Sequence, residues 1–137
     1  MSVQAEIHDL IRDTLLASPA VMSLVEGVHD RVCDAPWGKK AAYISFGPVD
    51  VIEDDADCIV GGTHTVQIDC WSRSVGSFYC KQIVDAVKTA LHGKPLELPS
   101  FGLVQVRVPM RRVFADPDGL TTHGVVSLEI DAEEVVD

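Results

Sequence analysis

Between Val3 and Leu16 the apolar residues Val3, Ile7, Leu10, Ile11 and Leu15 recur at helical spacing, with Glu6, Asp9, Arg12 and Asp13 between them. This pattern predicts an amphipathic helix. Ser18 before Pro19 suits the cap and first turn of a second, short helix over residues 20–25, closed by Gly27. Residues 28–33 read as a short strand and 35–40, with Pro36 and Gly38, as a loop. Ala42, Ile44 and Phe46 then alternate with Tyr43 and Ser45, the period of a half-buried strand, until Gly47 and Pro48 interrupt it.

Over residues 63–72, Val66, Ile68 and Cys70 fall on one face of a strand while Thr65, Gln67, Asp69 and Trp71 fall on the other. Ser74 is placed to cap a helix with an apolar stripe of Tyr79, Cys80, Ile83, Val84, Val87, Ala90 and Leu91, ended by Gly93 with Pro95 beyond. Residues 103–114 form a strand in which Val104, Val106 and Val108 alternate with Gln105 and Arg107, and Pro109 places it at an edge or a bulge. Asp116-Pro117-Asp118-Gly119 is a turn, after which residues 123–131 return as a strand with Val126, Leu128 and Ile130 on one face. Residues 131–137 read as a frayed acidic tail. Hairpin-length connections between strands favour antiparallel pairing. The expectation is one α+β domain over residues 1–137: a single mostly antiparallel sheet, a long helix packed on one face, and an N-terminal helix.

Charge narrows the function. Eleven Lys and Arg against 21 Asp and Glu give a net charge of −10, the wrong sign for wrapping a phosphate backbone. The first 16 residues mix acids with apolar positions and lack the basic stretch and hydrophobic run of a signal, and no apolar run is long enough to span a bilayer. A chain that neither spans a membrane nor is secreted by a recognisable signal is expected, with Cys33, Cys58, Cys70 and Cys80 as reduced cytosolic thiols.

The search for chemistry yields little. Cys80 lies on the apolar stripe of a helix and Cys70 on the apolar face of a strand, which suits small buried hydrophobes better than nucleophiles. His64, His123 and Ser127 have no spacing that fixes a triad. His29-x3-Cys33 and Cys58-x5-His64 do not match a zinc scheme, and Asp116 and Asp118 lack the closing Glu of a calcium loop because Val125 stands there. Gly61-Gly62 has no following helix and Lys to cradle phosphate. No catalytic residue, metal or cofactor is expected. Two charged groups stand out instead: Glu53, Asp54, Asp55 and Asp57 in what reads as a long exposed hairpin loop over residues 50–62, and Arg107, Arg111 and Arg112 on one strand. An edge strand carrying arginines is either solvated or paired.

Three stretches carry a resemblance: Thr63-His64-Thr65-Val66-Gln67-Ile68-Asp69-Cys70-Trp71-Ser72-Arg73, the helix end Ala90-Leu91-His92-Gly93, and residues 114–124, Phe-Ala-Asp-Pro-Asp-Gly-Leu-Thr-Thr-His-Gly. In this order and spacing they resemble the tail completion or tail terminator (head-tail joining) proteins of tailed phages, prophages and gene transfer agents. The resemblance runs from Leu10-Ile11-Arg12 to the final strand. It implies a non-catalytic virion-type protein that forms a homo-oligomer, a hexameric ring, on the head-proximal end of the tail tube. Its implied partners are the tail tube protein and the head-tail connector or adaptor, with DNA passing through without specific binding, and no membrane. Its implied location is the particle tail or neck, and the bacterial host cytoplasm during assembly. An acidic lumen would repel phosphate and fits such a passage. The neighbouring alternative is a neck or connector adaptor on the portal side; the alternative of another class is a small Cys- or His-dependent cytosolic enzyme. Within the ring, Glu53, Asp54, Asp55 and Asp57 are expected to order against Arg111 and Arg112 of a neighbouring copy, with Arg107 in the same interface.

Overall fold

The computed structural model describes residues 2–32, 37–53 and 61–134. Among the described residues three helices and five strands follow one another as α1 (Val3–Leu16), α2 (Pro19–Met22), β1 (Val28–His29), β2 (Ala42–Glu53), β3 (Gly61–Ser72), α3 (Phe78–Leu91), β4 (Phe101–Ala115) and β5 (Thr122–Glu134). The strands form one sheet in the order β1-β2-β3-β5-β4. Only β1 pairs in parallel, with β2; every other pairing is antiparallel. This is the expected α+β architecture.

Local chemistry sets the helix ends. The Ser2 hydroxyl accepts from the Ala5 N–H at 3.2 Å and the Ser18 hydroxyl from the Val21 N–H at 3.3 Å, each satisfying a first-turn donor. α3 begins at Phe78 after Ser77, not at Ser74. The Ser74 N–H is held by the Ser72 hydroxyl at 3.2 Å, and Gly76 at φ +79° turns the chain before a helix can start.

Both main helices cover one face of the sheet. Ile7, Ile11 and Leu15 of α1 and Cys80, Ile83, Val84, Val87 and Leu91 of α3 are buried with Ile44, Val66, Ile68, Cys70, Val126, Leu128 and Ile130. The periodicity marks these residues, while Val3, Leu10, Tyr79 and Ala90 of the same stripes are only partly buried. α3 packs tightly on the sheet at Gly124, where a Cβ would stand 2.6 Å from Val84 Cγ1 and 2.9 Å from Cys80 Sγ. Buried Glu6 holds the segment entering β4, accepting from the Ser100 N–H at 2.9 Å.

Several strand boundaries differ from the sequence expectation, and β1, read over residues 28–33, runs only over Val28–His29. β2 does not stop at Gly47-Pro48 but runs on to Glu53, because a register shift between Phe46 and Val49 absorbs a residue that has no N–H to give the ladder. Asp50 and Glu53, expected in a loop, are therefore strand residues. β5 continues to Glu134, since Gly61–Thr63 and Phe101–Leu103 flank and pair its last turns of pleat. Pro109 lies where it was expected, on edge strand β4 at a register shift between Arg107 and Met110. The middle of that edge is closed by the end of α3: the Val108 N–H donates to His92 Nδ1 at 2.9 Å and the Gly93 N–H to the Val106 carbonyl at 3.0 Å. Gly93, at φ +66°, makes the reversal that brings these groups together.

Candidate interaction surface

Among the described residues, Cys70, Cys80 and Asp118 are buried or occupied, and His64 is buried with one nitrogen unpaired. Cys70 and Cys80 are fully buried, and burial pushes both thiols up, Cys80 to about 11 and Cys70 well above its ordinary value, the opposite of what a nucleophile needs. Cys33 and Cys58 lie outside the described residues. His64 is 3% exposed, with Nδ1 unpaired; desolvation lowers its pKa against the raising influence of Glu53 and Asp131. Asp118 spends its carboxylate on its own turn, accepting from the Leu120 and Thr121 N–H groups at 2.8 Å and the Thr121 hydroxyl at 2.7 Å. Those bonds lower its pKa and identify a turn, not a calcium ligand. Among the described residues no cluster of three His, Cys, Asp or Glu side chains could hold a metal ion, and no helix is long and apolar enough to cross a membrane.

The organised feature lies on the sheet face opposite the helices. Residues directly opposed across antiparallel strands share a face, so the register Tyr43↔Trp71↔His123↔Phe114 lines four rings across β2, β3, β5 and β4. Trp71 and His123 stack with centroids 3.9 Å apart; Tyr43 lies 6.3 Å from Trp71 and Phe114 lies 4.8 Å from His123. Trp37 closes edge-on against Tyr43 at 5.1 Å, beneath the Arg73 guanidinium at 4.3 Å, while Arg112 reaches over Phe114. Polar bonds pin the row: His123 Nε2–H and Gln67 Nε2–H donate to Asp69 Oδ1 at 2.7 and 2.9 Å, and the Trp71 indole N–H donates to the Ser45 hydroxyl at 2.9 Å. Asp69, Ser45 and Tyr43 are buried although no helix covers this face. The arrangement makes a stiff aromatic platform, with its polar atoms turned to one another.

The charged residues singled out from the sequence are not gathered into one place. Glu53 is exposed at the end of β2, lining a cleft with Gly62, His64 and Glu133. Asp54, Asp55 and Asp57 lie outside the described residues. Arg107 pairs with Glu129 (Nε–Oε2 2.7 Å) and Asp131 (3.3 Å) on the adjacent strand, which raises its pKa further. Arg111 points to the helix side of the sheet and pairs with Asp85 of α3. Among the described residues Arg112 has no carboxylate partner. The platform residues Tyr43, Trp71, His123 and Phe114 are the ones sequence reasoning missed. Trp71, His123 and Phe114 fall inside the stretches that carried the resemblance, yet only the strand register shows that they meet.

A family model described as Tail completion protein gp17 matches residues 9–131. Among solved structures, a chain of the virion of a native gene transfer agent particle superposes with a TM-score of 0.87 at 22% sequence identity, covering 96% of this chain and 98% of that one. No curated protein matches the chain.

Proposed function

The chain belongs to the tail completion protein family, a structural family of phage-type tails, and from that premise we propose that it forms a ring on the head-proximal end of the tail tube, ends tube growth, and presents the surface on which the head and its connector dock. The observation that carries the reading is the family match over residues 9–131, which takes in every main element from α1 to β5. The similar fold found in a gene transfer agent virion supports work inside a particle. The described residues are consistent with this role, since the sheet offers a rigid aromatic face and Cys70 and Cys80 are buried with raised pKa values, where a nucleophile would need an activated thiol. A net charge of −10 suits a ring through which DNA slides without adhering.

Adding the purified chain to polymerising tail tube protein of the same genome tests the proposal. Tubes should stop lengthening and carry one added disc at one end in negative-stain images. Tubes that grow at an unchanged rate, with the chain sedimenting instead with the portal or connector, would replace the reading with that of a neck adaptor.

A further inference from the structure

A histidine stands where the apolar row of β3 reaches the end of the sheet. Val66, Ile68 and Cys70 fill the helix side of this strand, and His64, next in the same phase, is 3% exposed with its Nδ1 unpaired among the described residues. A buried polar atom without a partner is a cost that a ligand can remove. Beside it the sheet is hollow. Gly62 and Ala132, opposed across β3 and β5, are too small to reach α1, and a cleft of about 300 Å³ lies between them and the first turn of that helix. Val3, Val51 and Phe101 supply its apolar lining. Glu53 opposes Gly62 across the β2–β3 pairing, and a Cβ on that glycine would stand 3.7 Å from Glu53 Oε2. The carboxylate therefore folds over the glycine, near enough to the imidazole for its charge to act there.

These groups select the ligand by its charge and shape. Glu53 and Glu133 in the lining repel an anion, and buried Glu6 in the first turn of α1 offsets the positive end of that helix. The acidic and imidazole side chains do not converge well enough to hold a metal ion. An organic cation with an apolar stem is left. Burial keeps the imidazole neutral, so one ring nitrogen is free to accept a hydrogen bond. An ammonium is compact and strongly hydrated, whereas a guanidinium is flat, more weakly hydrated, and has a fork of donors that spans two acceptors. We infer that the cleft binds an alkylguanidinium group, its stem against Val3 and Phe101 and its N–H groups shared between the Glu53 carboxylate and the His64 imidazole. Nδ1 is closed to water, and the ligand meets it once the ring turns about χ2. The same chemistry is offered by an arginine of a protein partner and by a free small guanidine. The inference goes beyond the ring reading and does not depend on it.

Titration of the full chain, labelled with 15N at histidine, tests the site. The probe is N-ethylguanidinium and its neutral counterpart N-ethylurea; the His64 ring resonances are those missing from His64→Leu. Ethylguanidinium should move them saturably, and ethylurea should not. Glu53→Gln, with a melt coincident with the native one, should weaken the effect about tenfold. Absence of a saturable shift, an equal shift with ethylurea, or unchanged affinity in Glu53→Gln overturns the site. Tail tube protein added to the loaded chain separates the sources. Displacement of the probe supports an arginine of that partner as the occupant, and retention of the probe supports a free guanidine. Tube capping by a chain whose His64 resonances ignore the probe removes the site and leaves the ring reading; a saturable shift in a chain that caps nothing does the reverse.

Discussion

His123 and Asp69 face each other across the β3–β5 pairing, Nε2 to Oδ1 at 2.7 Å, with side chains only 14% and 9% exposed. The imidazole is held flat against Trp71 by this bond, so the carboxylate orients the centre of the aromatic row. Asp69→Ala leaves the donors of His123 and Gln67 without their acceptor and should cost about 1–3 kcal/mol. The urea midpoint measures the cost, and loss of near-ultraviolet circular dichroism from Trp71 reports the released stack. An unchanged midpoint with an unchanged spectrum would mean that stacking alone holds the ring.

Gly124 follows His123 and points the other way, into the tight packing against α3. Gly124→Ala should destabilise by about 1–3 kcal/mol, because the methyl meets Val84 and Cys80 at separations that force the helix outward. Val84→Asp, at a position 4% exposed, should leave no folded protein, since an unpaired buried carboxylate costs several kcal/mol. Thermal melts distinguish the two, a lowered midpoint against an absent transition.

His64 gives the fold a dependence on pH. Its pKa is lowered by burial, so the unfolded chain binds the proton more readily and stability rises with pH. The contribution is complete above the ordinary value of 6.5 and is lost as pH falls from there through the lowered folded value. Denaturation midpoints between pH 7.5 and 5 should therefore fall more steeply for the native sequence than for His64→Leu. Parallel curves would show that the imidazole is already solvated.

In a chain with Cys33→Ser and Cys58→Ser, the two remaining thiols should resist alkylation at pH 8 and label at once in concentrated urea. Both are fully buried and their pKa values are raised. Labelling of either thiol in the native state at the rate of a free peptide thiol would place α3 or β3 in the wrong phase.

Much of this architecture was legible because burial on one side leaves a period in the sequence. Val66, Ile68 and Cys70, then Cys80, Ile83, Val84, Val87 and Leu91, and Val126, Leu128 and Ile130 all appear in phase and are all buried. Pro109 likewise signalled the edge. What escaped reading depends on relations between distant segments. Gly47-Pro48 looks like a stop unless the partner strand is known to accommodate a bulge, and the end of β5 is fixed by neighbours from residues 61 and 101. The aromatic row escaped for the same reason, since Tyr43 and Phe114 are 71 positions apart and meet only through the register of two intervening strands. The arginines were visible as a group, but the strand pleat sends Arg111 to one face and Arg112 to the other.

The His92–Val108 bond has a bearing on what the chain refuses to do. A fifteen-residue edge strand is an open template on which any spare strand, including one from an identical molecule, can polymerise without limit. Here the imidazole and the Gly93 amide occupy the centre of that template, and Pro109 beside them offers no donor. The edge is thereby divided into two shorter segments on either side of residues 106–109. The helix terminus thus works as a stopper against runaway growth, and the His92→Ala chain should gel or bind amyloid dyes at concentrations where the native chain stays clear.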